Sequence, residues 1–170
     1  MHADLILSAP PLEAALRLSD LPVDKHGFLH ADFESRRVQG FADIFVAGDA
    51  SDLRLKQSQL AMQQGETVAR QIYERLLGQR PMARFQPEIH CVLDRMNDAL
   101  YAVMRLESTP DAGIAPGRLR ISENKLWRFY KKILQIVIVK RYRSGKPVLA
   151  GWFGQMLEAV SRMLARFTTR

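Results

Sequence analysis

The stretch "DIFVAGDA", Asp43–Ala50, decides how this chain is read. Ile44–Ala47 form a continuous apolar run rich in strand-forming residues, which predicts a buried strand. The run stops abruptly on Gly48 and Asp49. A glycine lets another group approach the backbone, and a carboxylate just past a buried strand lies where open α/β folds take ligands. Asp49 can therefore accept hydrogen bonds from the hydroxyls of a sugar-like chain. The alternative is an ordinary strand end whose aspartate only closes a turn.

Upstream, "ADLILSAPP" predicts a buried strand over Leu5–Leu7, closed by Pro10 and Pro11. "LPVDKHGFLHAD" predicts a turn at Asp24–Gly27 and a short strand over Phe28–Asp32. Downstream, "SQLAMQQGETVARQIYERLLGQRP" predicts a long helix. Ala61, Gly65, Val68, Ile72 and Leu76 recur at three- and four-residue intervals, Ser58 suits an N-cap, and Gly78 with Pro81 ends the run.

Farther on, Ile89, Cys91 and Leu93 alternate with His90 and Val92, and Leu100, Ala102, Met104 and Leu106 alternate in the next run. With "RMND" between them, the two runs predict an antiparallel hairpin. Thr109–Gly117 reads as a loop. Beyond it, Ser122–Arg143 and Trp152–Arg170 are joined by "SGKP". In the second segment Trp152, Phe153, Met156, Leu157, Val160, Met163, Leu164 and Phe167 share one helical face, with Arg162 and Arg166 opposite, which predicts an amphipathic helix. The first segment is open between helix and strand, because "ILQIVIV" is β-branched.

The 170 residues are 47% hydrophobic, enough for a real core. The net charge of +7 is unevenly placed: residues 118–170 carry 13 Lys and Arg against 2 Asp and Glu, whereas the rest of the chain is slightly acidic. Aromatic and β-branched residues interleaved with these charges favour a membrane surface as partner, and nucleic acid is not expected. Cys91 is the only cysteine, so the chain holds no internal disulfide. No apolar run reaches the roughly 18 residues that span a bilayer, and the N-terminus lacks a signal-peptide pattern, which makes a cytoplasmic location the default. The histidines show no metal spacing, with Cys91 or with one another, so no metal site is expected. There is no phosphate-binding loop or nucleophile elbow.

"LPVDKHGFLHAD" and "DIFVAGDA" together resemble the second FAD motif of flavoproteins of the pyridine-nucleotide-disulfide-oxidoreductase type, and the resemblance runs from Asp4 to Gln79. It implies an α/β fold: the C-terminal part of a Rossmann-like FAD-binding domain (a partial sheet plus the long helix), followed by the hairpin and C-terminal amphipathic helices. Residues 1–12 would end the strand of an NAD-binding domain, 13–82 would be FAD-binding, 83–117 the hairpin region and 118–170 the basic tail. "SQLAMQQG" is similar to the helix start of type II NADH dehydrogenases, keeping Gln59, Ala61, Gln63 and Gly65. Sulfide:quinone oxidoreductases instead carry Lys and, five residues later, Ala at this place, a spacing kept by Lys56 and Ala61. "EIHCVLDRMNDALYAV" looks like the cysteine-bearing stretch of that second family.

What the resemblance implies is an enzyme that passes electrons from sulfide or NAD(P)H through FAD to quinone. Gly48, Asp49, Lys56, Gln59 and Ala61 would contact the cofactor, with Asp49 on its ribityl hydroxyls and Lys56 beside the reduced ring. Gln59 and Gln63 would border the quinone. Cys91 would meet the sulfur substrate as the catalytic residue; a buried, inert strand cysteine is the alternative. The G-x-G-x-x-G turn such enzymes need is missing from the chain. The expectation is a C-terminal portion inactive alone, needing an N-terminal partner chain or acting as a homodimer, and peripheral on the inner face of the membrane. A non-catalytic membrane-binding or assembly module with a vestigial flavin site is the competing expectation.

Overall fold

The structure, a computed structural model, describes residues 8, 10–16, 18–109 and 114–144. The expected strand Leu5–Leu7, the "SGKP" hinge and the segment Trp152–Arg170 lie outside the described residues. The described residues are mixed α/β, with two α-helices and a three-stranded antiparallel sheet among them. It divides into two units, Met1–Pro87 with Ser108–Ile114, and Glu88–Glu107 with Ala115–Arg170.

The first unit is a mesh of extended segments beside one helix. At its entrance Asp24 Oδ1 accepts the amides of His26 (2.8 Å) and Phe28 (2.9 Å), while the Gly27 amide donates to Asp24 O (3.0 Å) with Gly27 at φ 85°. This is the expected turn, built on an aspartate that mimics a backbone acceptor. The strands expected over Phe28–Asp32 and Ile44–Ala47 do not form as ladders. Isolated bridges take their place: Ala31 with Val38, Arg37 with Phe45, and Leu29 in parallel with Ser51. Arg36 at φ 59° and Gly40 at φ 84° bend the returning segment on either side of Val38, so no ladder grows beyond a pair or two. Nor is Ile44–Ala47 buried along its length. Val46 is buried with Leu29 and Val38, Ile44 is half-buried, and Ala47 is exposed.

Helix α1 spans Ser58–Leu76, as its periodicity predicts. Its N-cap is Gln57, in extended conformation, and Ser58 is the first helical residue rather than the cap. The C-terminus matches its sequence signal: the Gly78 amide donates to Arg75 O (2.9 Å) and the Gln79 amide to Glu74 O (2.9 Å), with Gly78 at φ 68°. That is the Schellman pattern. The buried face is a correction. Leu60, Gln64, Thr67 and Gln71 point inward, while Ile72 and Leu76 of the expected apolar face are exposed. The surface beneath α1 offers backbone groups more than side chains. Gln71 Nε2 donates to Ser35 O and Ala83 O, both at 3.0 Å, so glutamines fit there better than leucines.

The second unit holds the hairpin β1 (Glu88–Asp94) and β2 (Ala99–Ser108), antiparallel with Cys91 opposite Ala102. Arg95 closes its turn, donating Nε to Asp98 Oδ1 (2.7 Å) and Nη2 to Asp98 Oδ2 (2.8 Å). A third strand, β3 (Ile114–Glu123), follows β2 in the sheet. This overturns the loop expected up to Gly117. The Gly–Pro content of the stretch is tolerable because β3 is an edge strand. A Cβ on Gly117 would lie 2.8 Å from Arg105 O and 2.9 Å from Glu107 Oε1, so the glycine lets the two strands approach.

Helix α2 spans Leu126–Ser144 and settles the ambiguity of "ILQIVIV" in favour of helix. Asn124 Oδ1 accepts the Leu126 amide at 2.9 Å, a side-chain cap for its first turn. Trp127 is buried against Tyr101, ring centroids 4.4 Å apart and nearly stacked, and its Nε1 donates to Ser122 Oγ at 3.0 Å. Tyr130 packs edge-on to both rings. Lys131 Nζ donates to Asp94 Oδ2 at 2.7 Å, tying α2 to the end of β1 and lowering the Asp94 pKa.

Two glycine substitutions read these local geometries. Gly117→Ala is expected to destabilise the protein by about 1–3 kcal/mol, because the added methyl overlaps Arg105 O. Gly65→Ala, whose Cβ meets nothing within 4 Å, is expected to stabilise α1 by up to about 1 kcal/mol. Urea titrations of the two variants against the parent chain check both signs.

Candidate functional site

Gly48–Ala50 form a single 3₁₀ turn at the end of "DIFVAGD", and the conformation of this turn builds the site. Gly48 adopts φ 75°, a left-handed conformation that L side chains rarely take. The Gly48 amide donates to Gln64 Oε1 at 3.0 Å, and Ser51 Oγ donates to the same oxygen at 3.2 Å. Ser51 is wholly buried and Gln64 is 2% exposed, so this amide oxygen reaches the turn from inside the protein. Ser51 Oγ also lies 2.9 Å from Gly48 O. Bound in this way, the turn presents Asp49 outward, and its side chain is exposed.

Lys56 grips the turn from the other side. Its ammonium donates to Asp49 O at 3.0 Å and to Ser51 O, and lies 3.8 Å from the centroid of the Phe28 ring. Burial holds the Lys56 pKa below its ordinary value, with the carboxylates of Asp49, Asp52 and Asp24 opposing that shift. Asp52 in turn lies 3.0 Å from His30 Nδ1. The Leu29 amide donates to Ala50 O at 2.9 Å and fastens the turn to the core.

In front of the turn lies a cleft of about 300 Å³. Phe28, Leu29 and Ala50 line it together with Leu12, Ala14, Ala15 and Leu16, and Glu13, Asp49 and Lys56 supply charge. Carboxylates and an ammonium beside apolar side chains suit a ligand that carries hydroxyls on one part and an apolar surface on another.

Of the residues singled out in the sequence, the structure brings Gly48, Asp49, Lys56 and Ala61 together. A Cβ on Gly48 would sit 3.5 Å from Ala61 Cβ, so α1 packs closely on the turn. Gln59 and Gln63 are half-buried in the first turns of α1, and both already take part in interactions. Cys91 belongs to the second unit, where it is half-buried on β1. Sequence reasoning missed Gln64. The available signal was its spacing from Leu60, Thr67 and Gln71, which marks one helical face, but a glutamine on such a face reads as solvated. Among the described residues no group of three or more His, Cys, Asp or Glu side chains could hold a metal ion.

No protein-family model matches the chain, and no curated protein matches it.

Replacing Gln64 by leucine removes the acceptor of the half-buried Gly48 amide and leaves the Ser51 hydroxyl only Gly48 O. A loss of about 1–3 kcal/mol is expected in urea unfolding. Lys56 gives a pH signature. Between its lowered folded pKa and the ordinary 10.5, the unfolded chain holds a proton that the folded chain has released, so stability rises with pH across that window. Lys56→Met is expected to flatten this rise, measured as unfolding free energy from neutral pH up to 10.5.

Proposed function

We propose that the chain is the C-terminal part of a FAD-dependent oxidoreductase that passes electrons from sulfide or NAD(P)H through flavin to quinone, and that it is inactive alone. The observation that carries this reading is the cleft in which Asp49 and Lys56 meet beside a left-handed Gly48. This part of the first unit would complete a Rossmann-like FAD-binding domain supplied by an N-terminal partner chain. The fit to the cofactor is partial but of the right kind: about 300 Å³ takes the polyhydroxylated chain of a flavin and not a whole dinucleotide.

When bound, FAD supplies the two-electron chemistry. Asp49 would accept hydrogen bonds from ribityl hydroxyls, with close approach open because Gly48 has no side chain. Lys56 would set a positive charge at the cleft wall beside the reduced ring. Gln59 and Gln63, in the first turns of α1, whose N-terminal amides carry partial positive charge, would border the flavin and quinone. Cys91 is assigned to the sulfur substrate, and electrons from NAD(P)H are the alternative donor path.

Attachment to the membrane surface belongs to the basic region 122–170. Within it, α2 exposes Leu126, Phe129, Ile136 and Val139 on its outward side, interleaved with Lys132, Lys140 and Arg143. Such a face suits an anionic lipid interface. No helix of the described residues is long and apolar enough to cross a membrane.

One observation favours the second reading, a membrane-binding or assembly module with a vestigial flavin site. The Lys56 ammonium is already engaged by two carbonyls and an aromatic ring, which is a sufficient structural role without any ligand.

The two readings separate when the full chain is mixed with the dinucleotide-binding half of a flavoprotein of this type. The oxidoreductase reading expects a yellow complex whose flavin absorbance falls about tenfold or more with Asp49→Ala, the scale of losing charge-assisted hydrogen bonds. A colourless complex, with vesicle binding indifferent to Asp49→Ala, would instead support the vestigial module.

A further inference from the structure

Helix α1 is turned inside out. Of the four residues it buries, Leu60, Gln64, Thr67 and Gln71, three are polar. Its other side carries Ile72, Tyr73, Leu76 and Leu77, all of them exposed, with Leu76 at 80% and Tyr73 at 63%. A surface helix normally turns its apolar stripe inward, so this stripe is built for a contact that one copy of the chain does not make.

The stripe has a regular spacing. Gly65, Ala69, Ile72 and Leu76 follow one another at steps of four, three and four residues, the spacing at which two helices meet along one seam. The small residues come first and the large ones last. Gly65 and its surroundings are open, because a Cβ there would meet nothing within 4 Å. A glycine inside a helix costs about 1 kcal/mol against alanine, and no described neighbour uses the room it leaves.

We propose that α1 is the contact between two copies of this chain, paired antiparallel about a two-fold axis. In that register Ile72 of each copy lies over Ala69 of the other, and Leu76 over Gly65, so that large side chains fill the room left by small ones. A parallel pair would instead set glycine against glycine and leave a void between the helices.

The available surface is of the right size. Ile72, Tyr73, Leu76 and Leu77, with the exposed Met82 that Glu74 ties to the helix through the Met82 amide, offer on the order of 600 Å² per copy, against about 800 Å² per partner in a standard interface. The exposed Arg70, Gln79 and Arg80 supply a polar rim. Arg75, at the edge of the seam, is already paired with Asp43 at 2.7 Å, so pairing leaves it no unmatched charge. The seam lies away from the face that carries Gln64, and the Gly48 turn takes no part in it. The inference stands on the first unit alone and does not require the flavin reading.

Sedimentation of the full chain at about 50 μM is expected to give twice the chain mass. Gly65→Gln, which puts a better helix former into the seam, and Leu76→Glu are each expected to raise the dissociation constant at least about tenfold, with the circular dichroism of the parent chain retained. In a Cys91→Ser background, Gly65→Cys chains mixed with Leu76→Cys chains are expected to form a disulfide between copies under mild oxidation, and Leu76→Cys chains alone are not. Four results would overturn the proposal. A parent chain monomeric at that concentration is one, and a dimer that survives both substitutions is another. A disulfide in Leu76→Cys chains alone would mean parallel pairing. Dissociation of the dimer by the dinucleotide-binding half of a flavoprotein would assign the face to that partner.

Discussion

One buried amide oxygen carries the turn on which the first unit depends. Gln64 Oε1 lies 3.0 Å from the Gly48 amide, which donates to it, and 3.2 Å from the Ser51 hydroxyl, with the Gln64 and Ser51 side chains buried and Gly48 half-buried. In such surroundings a hydrogen bond is strong when made and expensive when missing. The turn therefore has little freedom. Its left-handed glycine, its outward aspartate and the carbonyls offered to Lys56 all follow from where that oxygen sits. Helix α1 is in this sense a bracket, and its inward glutamines replace the apolar contacts that its sequence periodicity leads one to expect.

Beside its apolar cluster of Leu29, Val38 and Val46, the first unit buries several polar side chains, and Arg36 is the extreme case. It is 1% exposed, adopts φ 59°, and its Nε and Nη2 have no hydrogen-bond partner. Its guanidinium lies 5.3 Å from the centroid of the Phe85 ring, and burial lowers its pKa, with Asp52 and Asp32 opposing that shift. A buried cation held by an aromatic face and distant carboxylates weakens the fold rather than strengthening it. Its backbone has a clearer role. Arg36 O accepts the Val46 amide at 2.9 Å, so the kinked residue anchors the segment that leads into the Gly48 turn. The second unit has the opposite character. There an aromatic stack of Tyr101, Trp127 and Tyr130 joins helix to sheet, and its polar atoms are paired.

What could be read from the sequence was local. The Asp24 turn, the antiparallel hairpin and the Gly78 stop are each written in a few adjacent residues, and the structure has them. The helix α1 was equally legible in extent, but not its inward face: periodicity marks apolar residues, whereas the surface under α1 is made of backbone groups that only their fold brings together. Strand β3 was hidden because Gly113, Pro116 and Gly117 read as a loop, and the close approach that Gly117 allows depends on β2. At the cleft, Asp49 and Lys56 were visible as residue types at the end of a strand-like run. The partners of Lys56 were not, because the carbonyls of Asp49 and Ser51 face it only after the turn has formed.

The most direct test of the clamp is amide hydrogen exchange at Gly48 in the full chain. If Gln64 holds the turn from inside, this amide is expected to exchange at least about a hundredfold more slowly than an unstructured glycine, at the pace of the buried amides around it. Exchange at the unstructured rate, with Val46 still protected, would mean that Gly48 is free of Gln64 and that the account of the site is wrong.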